Sequence, residues 1–128
     1  MPATSMNHFT ILTDDVDATT RFYDELLGLR AGPRPNFDFP GAWLYSGDVP
    51  ILHVIGGRPK AELRAGVIDH MAFTGRDLPA TLQALDARGI EHTCRRQVSS
   101  GTWQVFFHDP NGAKVELDFD ASEAAPGR

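Results

Sequence analysis

His8, His53, His70 and Glu116 are residues of the kind that ligate transition metals, and their spacing makes them a set. Asn7-His8-Phe9-Thr10-Ile11 aligns with Asp69-His70-Met71-Ala72-Phe73 at an offset of 62, and Leu52-His53-Val54 aligns with Val115-Glu116-Leu117 at an offset of 63. The first match opens each half of the chain and the second nearly closes it. Duplicated halves commonly pack about a pseudo-two-fold axis, which would carry the four equivalent side chains towards one point. Three imidazoles and one carboxylate converging there make a transition-metal site. Taken singly, a histidine on a strand is more often a satisfied structural residue, and a lone glutamate is usually solvated. The repeat register is what lifts the four above that reading.

The elements that would position them follow from local pattern. His8-Phe9-Thr10-Ile11-Leu12 alternates as a strand. Thr13-Asp14-Asp15 supplies a helix start, Val16, Thr19, Phe22, Tyr23, Leu26 and Leu27 share one helical face, and Gly28 stops the helix. The second half repeats this with a strand from His70 to Phe73, a cap at Asp77, Pro79 in the first turn, a stripe of Leu78, Leu82 and Leu85, and a stop at Gly89. Further strands are expected at Ala42–Tyr45 and Ile51–Ile55 around the turn Ser46-Gly47-Asp48, and at Trp103–Phe107 and Ala113–Phe119 around Asp109-Pro110-Asn111-Gly112. Gly56-Gly57-Arg58-Pro59 through Gly66 reads as the connection. The organisation is one domain of two modules, 5–57 and 67–120, with a linker at 58–66 and a fraying tail at 121–128. Strand, helix and about three strands, repeated, make an α+β fold with a curved, mostly antiparallel sheet whose concave face is the natural pocket.

At 128 residues the chain can bury a real core, and its 41% apolar and 23% charged residues are ordinary for a soluble globular protein. A net charge of −5 argues against generic binding to nucleic acid or to an anionic membrane. The lone cysteine, Cys94, precludes an internal disulfide and fits a reducing cytoplasm. No apolar run reaches the ~18 residues of a membrane span, and no signal peptide is evident. Cys94 stands beside Arg95 and Arg96, which could lower its pKa. His92 and His108 have no counterpart in the other half and read as surface residues. Trp43, Trp103, Phe106 and Phe107 read as core or pocket wall.

Strand alternation gives the faces. Glu116 shares a face with Lys114 and Asp118, which is polar, as a pocket or solvent face would be. His53 shares a face with Ile51 and Ile55, so it is either buried with a partner or looking into a cavity.

With these pieces in place, the chain resembles the vicinal oxygen chelate superfamily, which includes glyoxalase I, methylmalonyl-CoA epimerase, extradiol dioxygenases, fosfomycin-modifying thiol transferases and bleomycin-resistance proteins. The matching stretches are Asn7-His8-Phe9-Thr10, Thr20-Arg21-Phe22-Tyr23 with Leu26-Leu27-Gly28-Leu29, Ile68-Asp69-His70-Met71-Ala72-Phe73, and Phe107-His108-Asp109-Pro110-Asn111-Gly112 leading to Val115-Glu116-Leu117. The resemblance implies paired βαβββ modules and a divalent metal held by His8, His70 and Glu116, with His53 in the remaining inward slot. It implies a homodimer in which His8 and His53 come from one chain and His70 and Glu116 from the other. Nitrogen-rich ligation suits Zn, Ni, Co or Fe(II) and argues against Mg or Ca. A small-molecule substrate would offer two neighbouring oxygens to the ion, which would act as a Lewis acid.

Three reactions and one non-catalytic role are consistent with that resemblance. Isomerase or lyase chemistry through an enediolate, with Glu116 or His53 as the base, is preferred, although glyoxalase I has a glutamate at the slot of His53. Ring cleavage by Fe(II) would use His8, His70 and Glu116, with His53 as an acid–base residue. Against it, Phe106 stands where those enzymes carry a tyrosine. Thiol transfer to fosfomycin would use Thr10 at the substrate and Arg95 or Arg96 at the phosphonate, but a basic C-terminal arm is lacking. A ligand-sequestering module without chemistry is disfavoured by an intact set of four.

Overall fold

A computed structural model describes residues 5–59, 66, 68–124 and 126 of the chain. The chain forms two compact units, Met1–Glu62 and Leu63–Arg128. In order, the first contains β1 (Phe9–Leu12), α1 (Val16–Leu27), β2 (Arg30–Gly32), β3 (Gly41–Ser46) and β4 (Val49–Ile55). The second contains β5 (Met71–Thr74), α2 (Leu78–Ala87), β6 (His92–Arg96), β7 (Trp103–His108) and β8 (Lys114–Phe119). Each unit is thus a βαβββ module, and the fold is α+β. Each builds its own four-stranded sheet, in the orders β1-β4-β3-β2 and β5-β8-β7-β6. The first and last strands of each module pair in parallel, and the other pairings are antiparallel.

The helix ends behave as the sequence suggests. Asp15 caps α1 by accepting from the Ala18 N–H at 3.0 Å. Gly28, at φ 71°, closes it with N–H bonds from Gly28 to Asp24 and from Leu29 to Tyr23. The second module copies the device: Gly89 sits at φ 64° and the Ile90 N–H reaches the Leu85 carbonyl. In each sheet, one set of alternate residues is buried. Leu44, Leu52 and Val54 are buried in the first unit, together with Thr19 and Tyr23 of α1. Val105, Phe107, Val115, Leu117 and Phe119 are buried in the second, as are Leu78 and Leu85 of α2.

Three expectations change. β2 and β6 were not located by pattern, because both are edge strands made of polar or small residues with no buried alternation. Most of the expected linker, 60–65, lies outside the described residues. The expected fraying at 121–128 does not describe its first residues. Glu123 turns back so that its carboxylate accepts from the Asp77 and Leu78 N–H groups at 3.0 and 2.7 Å, and the Trp103 indole donates to its carbonyl. These are N–H groups that a helix start leaves unpaired. Replacing Glu123 with alanine should therefore lower unfolding stability by about 1 kcal/mol, the usual worth of a cap, with an unchanged denaturant slope in urea titration. An unaltered midpoint would mean the carboxylate is idle.

Candidate functional site

The sheets place the sequence-derived residues by register. In β4, Leu52 and Val54 point into the core, so His53 points the other way, opposite Thr10 of β1 and Trp43 of β3. In β8, Val115, Leu117 and Phe119 point into the core, so Glu116 points the other way, opposite Ala72 of β5 and Phe106 of β7. His53 and Glu116 hold the same slot in the two modules. His8 and His70 each stand one residue ahead of the first strand of their module.

In the first unit the three rings form a stack. His8 lies on His53 with centroids 3.8 Å apart and planes at 12°, and His53 lies on Trp43 at 4.2 Å and 12°. His53 Nε2 donates to the Pro50 carbonyl at 3.1 Å. In the second unit His70 Nε2 lies 3.1 Å from Glu116 Oε1, and the Gln104 amide donates to Glu116 Oε2 at 3.2 Å. Glu116 is only 6% exposed. The structure thus joins His8 with His53, and His70 with Glu116. Among the described residues no three His, Cys, Asp or Glu side chains group as a metal site.

Both leading histidines carry the same orienting bond. His8 Nδ1 meets Asn7 Oδ1, and His70 Nδ1 meets Asp69 Oδ2, each at 2.7 Å. An acceptor on Nδ1 takes the ring proton there and leaves Nε2 with a lone pair, which is how metal-binding imidazoles are held. At His70 that lone pair faces the Glu116 carboxylate. Two acceptors 3.1 Å apart attract each other only when a cation, either a second ring proton or a metal ion, lies between them. The donor set therefore fits a divalent metal. Pattern reading passed over Asn7 and Asp69, although their matching positions ahead of the two histidines were the available signal.

Local electrostatics sharpen this. Burial, followed by the charge of His8 and then of Arg34, lowers the pKa of His53 against the opposing Pro50 bond, which favours the neutral, ligand-competent ring. The Asp69 carboxyl is held below its usual value by the His70 bond first and by Lys114 second. Asp118, on the Glu116 face, is pushed up to about 6 by burial first, then by its bond to Glu116 and repulsion from it, with His70 opposing. Its Oδ1 is buried without a hydrogen-bond partner among the described residues.

Other expectations are corrected. Burial raises the Cys94 pKa, and the arginines do not lower it. Arg95 turns to the site face, over Phe106 and bonded to Gln104, while Arg96 bonds the Gly101 and Ala121 carbonyls. His92 is not a surface residue: its side chain is 17% exposed, and Nδ1 bonds the Ile90 carbonyl. His108 is exposed. Trp103 and Phe107 are core, whereas Trp43 and Phe106 are site wall. A cleft of about 990 Å³ is lined by His70, Glu116, Arg95, Gln104, Phe106 and Lys114, and a smaller one of about 230 Å³ adjoins His8 and His53.

Residues 5–117 match the model of the Glyoxalase/Bleomycin resistance protein/Dioxygenase superfamily. The chain is 31% identical to glyoxylase I 4 of Arabidopsis thaliana over 122 residues, covering 89% of this chain and 70% of that protein. It is 33% identical to glutathione transferase FosA of Serratia marcescens over 116 residues, covering 88% and 79%. Among solved structures, the fosfomycin resistance protein FosX of Listeria monocytogenes superposes with a TM-score of 0.73 at 17% identity, covering 91% of this chain and 93% of that one. A mutant of FosX has been solved with Mn(II) and 1S,2S-dihydroxypropylphosphonic acid. No helix among the described residues is long and apolar enough to cross a membrane.

Asp118 makes a pH prediction for chelator-treated protein. Its folded pKa lies above its ordinary 3.8, so between about pH 4 and 6 the folded state holds a proton that the unfolded state has released. Stability from this group should fall as pH rises through that window and level off above it. Asp118→Asn should flatten the fall, measured as the urea midpoint against pH. An identical profile in the variant would show that the carboxyl is not perturbed.

Proposed function

The chain belongs to the Glyoxalase/Bleomycin resistance protein/Dioxygenase superfamily, and on that footing we propose that it is a metal-dependent enzyme of isomerase or lyase type. The substrate is a small molecule presenting two neighbouring oxygens. The observation that carries the reading is the duplicated Nδ1 bond, Asn7 to His8 and Asp69 to His70, which leaves a lone pair on both Nε2 atoms. His8, His53, His70 and Glu116 would hold a divalent transition metal, either Zn, Ni, Co or Fe(II). Bound there, the ion would stabilise negative charge developing on the substrate oxygens.

The chain's own groups do the proton work. Glu116 is a buried carboxylate steadied on one oxygen by Gln104, and it can accept a proton α to a carbonyl and return it to the neighbouring carbon. His53, held neutral in its ring stack, is the second candidate for that role. Because the pairs His8–His53 and His70–Glu116 belong to separate units, we further propose a homodimer in which the modules of two chains complete each site. A cytoplasmic setting suits the single thiol of Cys94.

One observation favours a second reading, thiol transfer to a phosphonate. FosA is a relative, and the Arg95 guanidinium lies on the Glu116 face over Phe106 at 5.1 Å, available to an anion. Ring cleavage gains nothing, since Phe106 sits in register with Glu116 and has no proton to donate. Assaying purified protein with the hemithioacetal of methylglyoxal, and separately with fosfomycin and glutathione, distinguishes the two readings. Turnover of only the second pair would replace the isomerase reading.

His70→Ala and Glu116→Ala should each lose bound metal by elemental analysis while keeping a cooperative unfolding transition. Unchanged metal content would refute the site. Asp69→Ala should weaken metal affinity by about 10–100-fold, as removal of an orienting partner does. His53→Ala separates its roles: lost metal identifies a ligand, and retained metal with lost turnover an acid–base group. Mixing His8→Ala with Glu116→Ala chains should restore part of the activity if sites are shared, and none if each chain is self-sufficient.

A further inference from the structure

The smaller cleft, beside His8 and His53, has a chemistry of its own. Between β2 and β3 the loop 33–40 carries Arg34, Phe37 and Phe39, and it is tied at three points. The Tyr45 hydroxyl donates to the Pro33 carbonyl at 2.5 Å, Arg34 Nη2 donates to the Phe39 carbonyl at 3.0 Å, and the Gly56 N–H donates to the Pro40 carbonyl at 2.9 Å. Two glycines permit this: a Cβ on Gly32 would stand 2.8 Å from the Tyr45 ring, and one on Gly41 would meet the Val54 carbonyl oxygen and come within 2.9 Å of Arg34 Nη2. The loop is therefore a fixed wall and needs no ligand to order it.

That wall is aromatic and cationic. The Phe37 and Phe39 rings stack at 5.0 Å, with the Arg34 guanidinium carbon 4.9 and 5.0 Å from their centroids. Phe37 also approaches Trp43 at 6.4 Å, and Trp43 carries His53. No carboxylate among the described residues pairs with Arg34. Phe37 remains 41% exposed, a large ring left in water at the cleft. The cleft measures about 230 Å³. An apolar cavity of about 150 Å³ admits benzene, so this one has room for one substituted six-membered ring and not for a tripeptide.

We propose that this cleft is the specificity pocket for a single-ring aromatic anion. The ring packs against Phe37 and Trp43, and a carboxylate or phenolate on it pairs with Arg34. The substrate of the site would thus carry an aromatic ring next to its paired oxygens. This rests on the proposed function only in counting His8 and His53 as part of the site.

Benzoate, cyclohexanecarboxylate and acetate serve as probes, titrated calorimetrically into the full chain, with metal loading measured separately. Benzoate should bind about fivefold or more tighter than cyclohexanecarboxylate, and acetate should not bind detectably. Phe37→Ala, at an exposed position that leaves the core intact, should weaken benzoate about tenfold. Arg34→Lys, which keeps the charge and loses the planar stack, should also weaken it, while both variants load metal as the parent does. Equal affinity for the two ring acids, or benzoate binding indifferent to both substitutions, overturns the pocket. Failure of benzoate to bind a metal-loaded protein overturns it alone. Benzoate binding that obeys these expectations in a protein that takes no metal supports the pocket and removes the proposed function.

Discussion

The parallel pairing of the first and last strand of each module is the constraint on which the rest depends. It brings the residues at the start of β1 beside those in the middle of β4, and does the same for β5 and β8. Because side chains alternate along a strand, burying Leu52 and Val54 forces His53 outward, and burying Val115 and Leu117 forces Glu116 outward. A one-residue slip in either register would put the imidazole or the carboxylate into an apolar core and expose leucine and valine instead. The functional face is therefore held in place by the hydrophobic face behind it.

Much of this was legible in the chain itself. Both helices, their aspartate caps and glycine stops, the turns at 46–48 and 109–112, and the parity of His53 and Glu116 all follow from local pattern. Two edge strands were not legible, because Arg30–Gly32 and His92–Arg96 bury no alternating face and edge pairing leaves little mark on composition. The role of Glu123 was hidden for a related reason: a contact spanning 46 residues has no local signature. The repeat alone pointed to all four side chains at one point; the pairing of His8 with His53 and of His70 with Glu116 was foreshadowed by the family resemblance. The ring stack was not, since Trp43 gave no sign of which face it would take.

The repeat also shows how one scaffold slot can take opposite chemistry. The slot of His53 is walled by rings and approached by Arg34, conditions that disfavour extra positive charge and keep an imidazole neutral. The equivalent slot holds Glu116, with Gln104 donating to it, His70 Nε2 3.1 Å away and Asp118 alongside, so negative charge concentrates there. Backbone register is common to both modules. The difference lies in the residue opposite each slot, Trp43 on β3 and Phe106 on β7, and in what stacks on that residue: an imidazole on the tryptophan, and Arg95 and Lys114 on the phenylalanine.

That difference bears on selectivity. Asp69 and Glu116 stand on either side of His70, and two carboxylates flanking one imidazole favour positive charge between them, whether a second ring proton or a metal ion. A neutral imidazole between two rings adds a donor without adding charge. Three nitrogen donors and one carboxylate would leave a divalent ion with a net positive charge, whereas a second carboxylate in place of His53 would cancel it. In the proposed metal site, a histidine rather than an acid at that slot would therefore favour substrates that become anionic during reaction. Arg34 adds positive potential beside the His53 slot, which would favour an incoming anion there.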